Sequence, residues 1–134
     1  MTHYRALPAW ALAAALAALA APPVQAQAGA ALAAPTADAR GVLHDAGGMT
    51  LYTYDPDAAG RSVCDGPCAR IWPPALAPAD ARAAGALDLA VRDDGSRQWA
   101  VHGRPLYGYV ADVTPGQASG DGVNGNWHVA RTTP

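Results

Sequence analysis

Leu51-Tyr52-Thr53-Tyr54-Asp55-Pro56-Asp57 returns as Leu106-Tyr107-Gly108-Tyr109-Val110-Ala111-Asp112. Both copies read Leu-Tyr-x-Tyr-x-x-Asp. Each is followed at the same distance by a tryptophan: Trp72 stands twenty residues after Tyr52, and Trp127 twenty after Tyr107. A match at a fixed offset marks an internal repeat, and a repeat decides the fold before any local propensity does. Within each copy the two tyrosines share one face of a strand, because side chains alternate with period two, and the leucine points the other way. Pro56 lacks the N–H a ladder needs and ends the first strand.

Outward from the motifs, the chain alternates short runs with turns. Residues 41–44 and 49–54 flank Asp45-Ala46-Gly47-Gly48, which reads as a β-hairpin. Residues 87–92, 97–101 and 104–110 read as a three-stranded meander, turning at Asp94-Gly95, a two-residue hairpin signal, and at His102-Gly103. Residues 127–131 form a closing strand. Residues 58–70 read as a loop, residues 79–84 as one or two helical turns after Pro78, and residues 114–126 as a Gly-rich loop. Many short strands with regular turns predict an all-β fold: a small single domain of two pseudo-symmetric β-hairpin repeats with long Gly/Pro-rich loops. The domain is expected over residues 40–131, with repeat one near 40–74 and repeat two near 97–131.

The start of the chain reads differently. His3 and Arg5 give a weakly basic beginning, residues 7–21 are apolar, Pro22-Pro23 closes the run, and Val24-Gln25-Ala26 offers a small-residue cleavage site. That is the layout of a signal peptide over residues 1–26. The apolar run is shorter than the ~20 residues a membrane-spanning helix needs. Residues 27–39, rich in alanine, read as a disordered tail. The exported chain then carries eight arginines against eleven aspartates and no Lys or Glu, a net charge of −3. A mildly acidic chain without a basic run argues against nucleic acid as a partner, and no stable membrane insertion is expected after cleavage. Four tyrosines and three tryptophans follow residue 26, with no phenylalanine. All but Trp99 belong to the repeats, so the repeats are expected to build the core, each tryptophan packing on its own half's Tyr-x-Tyr strand.

Together with Cys64-x-Gly66-x-Cys68-Ala69, Trp72-Pro73-Pro74, Gln98-Trp99, Gly103-x-Pro105-Leu106-Tyr107, Pro115-Gly116 and Gly120-Asp121-Gly122, these motifs resemble the bacterial secreted and lipoprotein repeat family named for its Tyr-x-aromatic-x-x-Asp motif. The resemblance runs from about residue 41 to 130. It implies export, and carries no established activity. Many members resemble lipoproteins; here no cysteine precedes Cys64, so no lipid-modified N-terminal cysteine is expected.

Several groups are candidates for chemistry. Cys64 and Cys68, the only cysteines, read as a local disulfide in an exported protein; the rival is a thiol-redox or copper-handling pair, although no βαβ pattern and no haem-attachment motif accompany them. His44, His102, His128 and Met49 are soft-metal candidates without ligand spacing. Asp57 and Asp112 invite comparison with paired catalytic carboxylates, but each follows a strand, where aspartate commonly caps a turn. Tyr52, Tyr54, Tyr107 and Tyr109 read as core, or as the lining of a cleft at the pseudo-twofold. Residues 120–126 have the oxygens and glycines of a calcium loop but fail the EF-hand pattern at Val123. No cofactor is expected. The reading is an exported, periplasmic or secreted, non-enzymatic module that binds an envelope protein or a small ligand.

Overall fold

The computed structural model describes residues 17–20 and 32–134. The expected cleavage site and the first part of the Ala-rich tail lie outside the described residues. Among the described residues no helix is long and apolar enough to cross a membrane.

The strands are β1 (Thr36–Ala37), β2 (Leu43–His44), β3 (Tyr52–Tyr54), β4 (Leu76–Ala77), β5 (Leu87–Val91), β6 (Arg97–Val101), β7 (Arg104–Pro105) and β8 (Trp127–Val129). They form small antiparallel sheets: β1 with β2, β3 with β8, and β4 and β5 on either side of β6, with β7 also pairing β6. The fold is all-β, as the repeat predicts. Among the described residues, one short helix, α1 (Pro67–Ile71), and a 3-10 turn at Val123–Gly125 complete it.

The tail ends sooner than expected. Thr36 and Ala37 pair with His44 and Leu43, and the Trp99 indole donates to the Leu32 carbonyl at 3.2 Å. This first hairpin has its counterpart in β5 and β6, where Leu89 faces Trp99 as Ala37 faces Leu43. Each repeat therefore begins one strand earlier than residues 40 and 97. Trp99, which stands outside the motif offset in sequence, occupies the place of Leu43. The Trp99 amide donates to Ala75 O as the Leu43 amide donates to Ala130 O.

Three local readings are corrected. Residues 79–84 hold no helix, while the cysteine loop does: Pro67 supplies a fixed φ at the first turn, where a missing N–H costs nothing. The turn at Asp94-Gly95 is a three-residue loop. The Arg92 amide donates to Ser96 O, and Gly95 adopts φ 84°, a left-handed position glycine takes without steric cost. The repeats are not self-contained hairpins either. Strand β3 of the first repeat pairs with β8 of the second, with Tyr52 opposite Val129 and Tyr54 opposite Trp127.

The second motif makes the twofold-equivalent ladder with the first repeat. Asp55 N donates to Asn126 O, and Val110 N to Ile71 O; Ala130 N donates to Leu51 O, and Ala75 N to Leu106 O. The two ladders have the same register. Pro73 and Pro74 lack donors, which leaves the second one less regular. At the centre, Tyr52 and Tyr107 exchange both backbone hydrogen bonds, 2.8 and 3.0 Å. That pair lies on the pseudo-twofold.

Period two then separates the core into two halves. Leu51 and Leu106 point into an aliphatic cluster with Leu43, Trp99 and Val101. Tyr52 and Tyr107 point to the other side, into a cluster with Trp72, Trp127 and Cys64. All ten of these side chains are buried.

Candidate functional site

The second cluster brings the repeated motif residues together. Trp72 and Trp127 lie face to face, ring centroids 3.8 Å apart and planes within 4°. Tyr109 stacks on the outer face of Trp72 at 4.0 Å, and Tyr54 on the outer face of Trp127 at 4.2 Å. The result is one continuous stack, Tyr54–Trp127–Trp72–Tyr109. Its two indoles are buried and its two phenols half-buried. Tyr52 meets Trp72 edge-on at 5.5 Å, and Tyr107 meets Trp127 edge-on at 5.2 Å. The edge-to-face contacts suit the ring quadrupoles, and the parallel faces gain close dispersion contact. Each tryptophan thus meets the inner tyrosine of its own repeat edge-on and, in addition, stacks on the outer tyrosine of the opposite repeat. The crossed ladders put it there, because Tyr54 and Trp127 are directly paired.

The inner tyrosines bind the carboxylates of the opposite repeat. Tyr52 OH donates to Asp112 Oδ2 at 2.6 Å, and Tyr107 OH to Asp57 Oδ2 at 2.6 Å. The second oxygen of each carboxylate accepts from the following loop: Asp57 Oδ1 from Val63 N at 2.8 Å, Asp112 Oδ1 from Ser119 N at 3.0 Å and from the Ser119 hydroxyl. The aspartates do hold loop backbone, but they also clamp the two repeats together. Burial pushes the Asp57 carboxyl above the usual carboxylate value, against the opposing pull of the Tyr107 hydroxyl and the Val63 amide. Burial, then the adjacent carboxylate, raise both Tyr52 and Tyr107 well above the ordinary phenol value.

Three polar residues outside the Leu-Tyr-x-Tyr-x-x-Asp motifs support this site. Arg92 is buried, and its guanidinium donates to Ser62 Oγ, Gln98 Oε1, the Cys64 carbonyl and Asp65 Oδ1 over 2.9–3.1 Å. Ser62 Oγ lies 2.6 Å from Tyr107 OH, and Gln98 donates to the Leu106 carbonyl at 2.7 Å. A chain of hydrogen bonds therefore runs from Arg92 through Ser62 and Tyr107 to Asp57. The sequence signal for Arg92 is faint: its alternation partner Ala90 is fully buried, while Val91 of the apolar register is exposed.

Cys64 and Cys68 form a disulfide with Cα atoms 5.2 Å apart. Cys64 is fully buried against the aromatic cluster. The metal candidates are dispersed among separate partners: His44 with Asp38 and the Gly48 carbonyl, His128 with Asp55, His102 with the Thr132 carbonyl. Among the described residues no three His, Cys, Asp or Glu side chains come together. In the Gly-rich loop, Gly120 N donates to the Tyr52 oxygen at 3.2 Å, and a Cβ on Gly120 would lie 2.9 Å from Trp72 and Tyr52 ring atoms. That loop closes the aromatic cluster.

A cleft of about 410 Å³ opens beside the stack, lined by Met49, Leu51, Pro74, Leu76, Trp99 and Tyr109 among others. Tyr109 belongs to both.

No curated protein and no solved structure matches the chain. A family profile described as a secreted repeat of unknown function matches residues 36–76 and 88–131. These two segments begin at β1 and β5, the same points at which the structure begins its two repeats. Over most of its length, and twice, the chain belongs to that family of secreted repeats.

Proposed function

We propose that this secreted repeat is a non-enzymatic binding module of the cell envelope, periplasmic or released, whose ligand is a small molecule with an apolar face. The observation that carries the reading is the cleft between the first hairpin and the Pro73–Pro74 segment. Its size falls in the range of small-molecule sites, ~300–1,000 Å³. Its walls combine aliphatic, proline and aromatic surface with few polar groups, and Trp99 and Tyr109 supply amphipathic rings. A binding role without catalysis accords with the motif carboxylates, whose oxygens are all engaged by tyrosines and loop groups. The rival thiol-redox reading has a disulfide in its favour; Cys64 is buried and only Cys68 is partly exposed to an attacking thiolate.

The test uses an apolar fluorescent probe, anilinonaphthalene sulfonate, titrated into the exported protein while tryptophan emission is followed. Saturable binding is expected, with energy transfer from tryptophan. Leu76 is partly exposed on the cleft wall, so Leu76→Arg should abolish binding and leave the melting temperature nearly unchanged. Binding that is unaffected by Leu76→Arg would refute the site.

A further inference from the structure

We propose that the stack Tyr54–Trp127–Trp72–Tyr109 is a relay for one-electron oxidising equivalents, with Tyr52–Asp112 and Tyr107–Asp57 as proton-coupled stations on its flanks. The proposal goes beyond ligand binding and shares only Tyr109 with the cleft. Two separate observations carry it.

The first is the identity and contact of the rings. Tyrosine and tryptophan are the aromatic side chains that biological oxidants can oxidise, whereas phenylalanine is not. The chain contains no phenylalanine. Six of its rings form one contiguous group, four of them face to face at 3.8–4.2 Å. Electronic coupling between rings falls steeply with separation and is largest at van der Waals contact. The stack ends at two half-buried tyrosines and passes through two buried indoles, so a hole entering at one partly exposed end has a path to the other.

The second is the pairing of each inner phenol with a carboxylate. The loop amides account for the carboxylates but not for the phenols: Asp112 is buried and Asp57 partly buried, and an apolar ring at Tyr52 and Tyr107 would fill the same core volume. For oxidation the pairing has a specific use. A tyrosine that loses an electron becomes a strong acid, and it forms a neutral radical only if a base takes the proton. Asp112 Oδ2 and Asp57 Oδ2 stand 2.6 Å from those hydroxyls. Before oxidation, burial and the adjacent carboxylate keep both phenols protonated, because they disfavour a second negative charge there.

The steps balance as follows. A strong one-electron oxidant of the high-valent (ferryl) haem class takes one electron from the Tyr109 ring and is reduced. Trp72 returns an electron to Tyr109 and becomes an indole radical cation. That hole passes to Trp127 and Tyr54, or is filled by Tyr52. In the second case the Tyr52 O–H bond breaks, its electron goes to the indole and its proton to Asp112. The products are a neutral phenoxyl radical, a carboxylic acid and a neutral indole. An electron from a one-electron donor at the Tyr54 end restores the phenol, and the proton returns from Asp112. Tyr54, Trp127, Tyr107 and Asp57 run the same sequence from the opposite end.

The experiment is flash-quench oxidation of the exported protein with photogenerated tris(bipyridine)ruthenium(III), followed by transient absorption and electron paramagnetic resonance. In the parent protein an indole radical should form and convert to a neutral phenoxyl radical. In Tyr52→Phe with Tyr107→Phe the indole radical should persist. Asp57→Asn with Asp112→Asn should slow the conversion by roughly a hundredfold, the low end of what a positioned proton acceptor contributes. Tyr54→Leu with Tyr109→Leu changes only the half-buried ends, and should lower the yield of the buried radical while circular dichroism stays that of the parent. A phenoxyl signal that is unchanged in Tyr52→Phe with Tyr107→Phe, or a buried-radical yield indifferent to loss of Tyr54 and Tyr109, overturns the proposal.

Discussion

Tyr52 of the first repeat donates its hydroxyl proton to Asp112 of the second, 2.6 Å away. Tyr107 of the second repeat does the same to Asp57 of the first. The repeated motif therefore does not close on itself: its tyrosine is satisfied by the other copy's aspartate, and its tryptophan by the other copy's outer tyrosine. Neither repeat can complete its polar or aromatic contacts alone.

This exchange predicts a pattern of couplings. In double-mutant cycles, Tyr52→Phe and Asp112→Asn should show an interaction energy of roughly 0.5–3 kcal/mol, as residues in one buried network do. Tyr52→Phe and Asp57→Asn, which belong to the same motif copy, should be close to additive. Denaturant midpoints of the four variants measure both. A larger coupling within one motif than across the two would contradict the crossed arrangement.

How far this was legible in the sequence follows from the same residues. The equal offsets of Tyr52 to Trp72 and Tyr107 to Trp127 establish that the two halves are equivalent. They do not say which repeat's outer tyrosine each tryptophan stacks on, because exchanging the partners leaves every offset unchanged. Only the backbone ladder between β3 and β8 decides it. Trp99 was hidden by a shift of one residue: it lies fifty-six positions after Leu43, while the motifs lie fifty-five apart. The network of Arg92, Ser62 and Gln98 fills one half only, so no repeat signal marks it. Helix α1 was hidden because a disulfide loop punctuated by Gly66 and Pro67 reads as irregular. The strand β1 was hidden because Thr36-Ala37 has no alternation long enough to distinguish it from a tail.

The tryptophan pair should behave as one unit. Trp72→Ala and Trp127→Ala should each cost roughly 3–5 kcal/mol, the usual range for removing a buried large aromatic. Because the two rings contact each other at 3.8 Å, the double variant should cost less than the sum of the singles. Thermal or denaturant melts provide the comparison, and strict additivity would mean that the rings do not share their packing energy.

Gly120 should tolerate no side chain. Its added Cβ would meet Trp72 and Tyr52 ring atoms at 2.9 Å. Both rings are buried, so neither has free space to move into. Gly120→Ala should therefore cost roughly 1–3 kcal/mol, the usual penalty of overpacking a filled core, and should perturb the near-ultraviolet circular dichroism of the stack. Gly122 offers the contrast: it has φ 80° but open space around it. Gly122→Ala should destabilise through backbone strain and leave the aromatic spectrum intact.

Alkaline pH should weaken the fold through the inner tyrosines. Tyr52 and Tyr107 hold their protons above the ordinary phenol value in the folded state, owing to burial and then to their carboxylate partners. The unfolded chain releases those protons near pH ~10. Between that point and the raised folded values the native state binds more protons than the unfolded state, so stability falls as pH rises. Melting temperatures measured upward from neutrality should show this decline, and Tyr52→Phe with Tyr107→Phe should flatten it. A slope of the same size in the double variant would assign the alkaline loss to other groups.

Arg92 should matter more than the disulfide it adjoins. Closing so small a loop as Cys64–Cys68 is worth only roughly 2 kcal/mol by chain entropy. Arg92 is buried and anchors four acceptors, of which Ser62 Oγ, Gln98 Oε1 and the Cys64 carbonyl are themselves buried. Arg92→Ala leaves those acceptors without their donor and empties the volume the side chain filled. The expected cost is roughly 2–5 kcal/mol, since each buried acceptor left without its donor costs roughly 1–3 kcal/mol. Cys64→Ser with Cys68→Ser should still fold at moderate temperature. Arg92→Ala should lower the denaturant midpoint further, and it should also loosen Tyr107, whose hydroxyl is held by Ser62 on one side and Asp57 on the other. Urea unfolding of the two variants under identical conditions ranks them. If loss of the disulfide proves the more damaging, the cysteine pair holds more of the fold than its short loop accounts for, and Arg92 is a follower of that loop rather than its anchor.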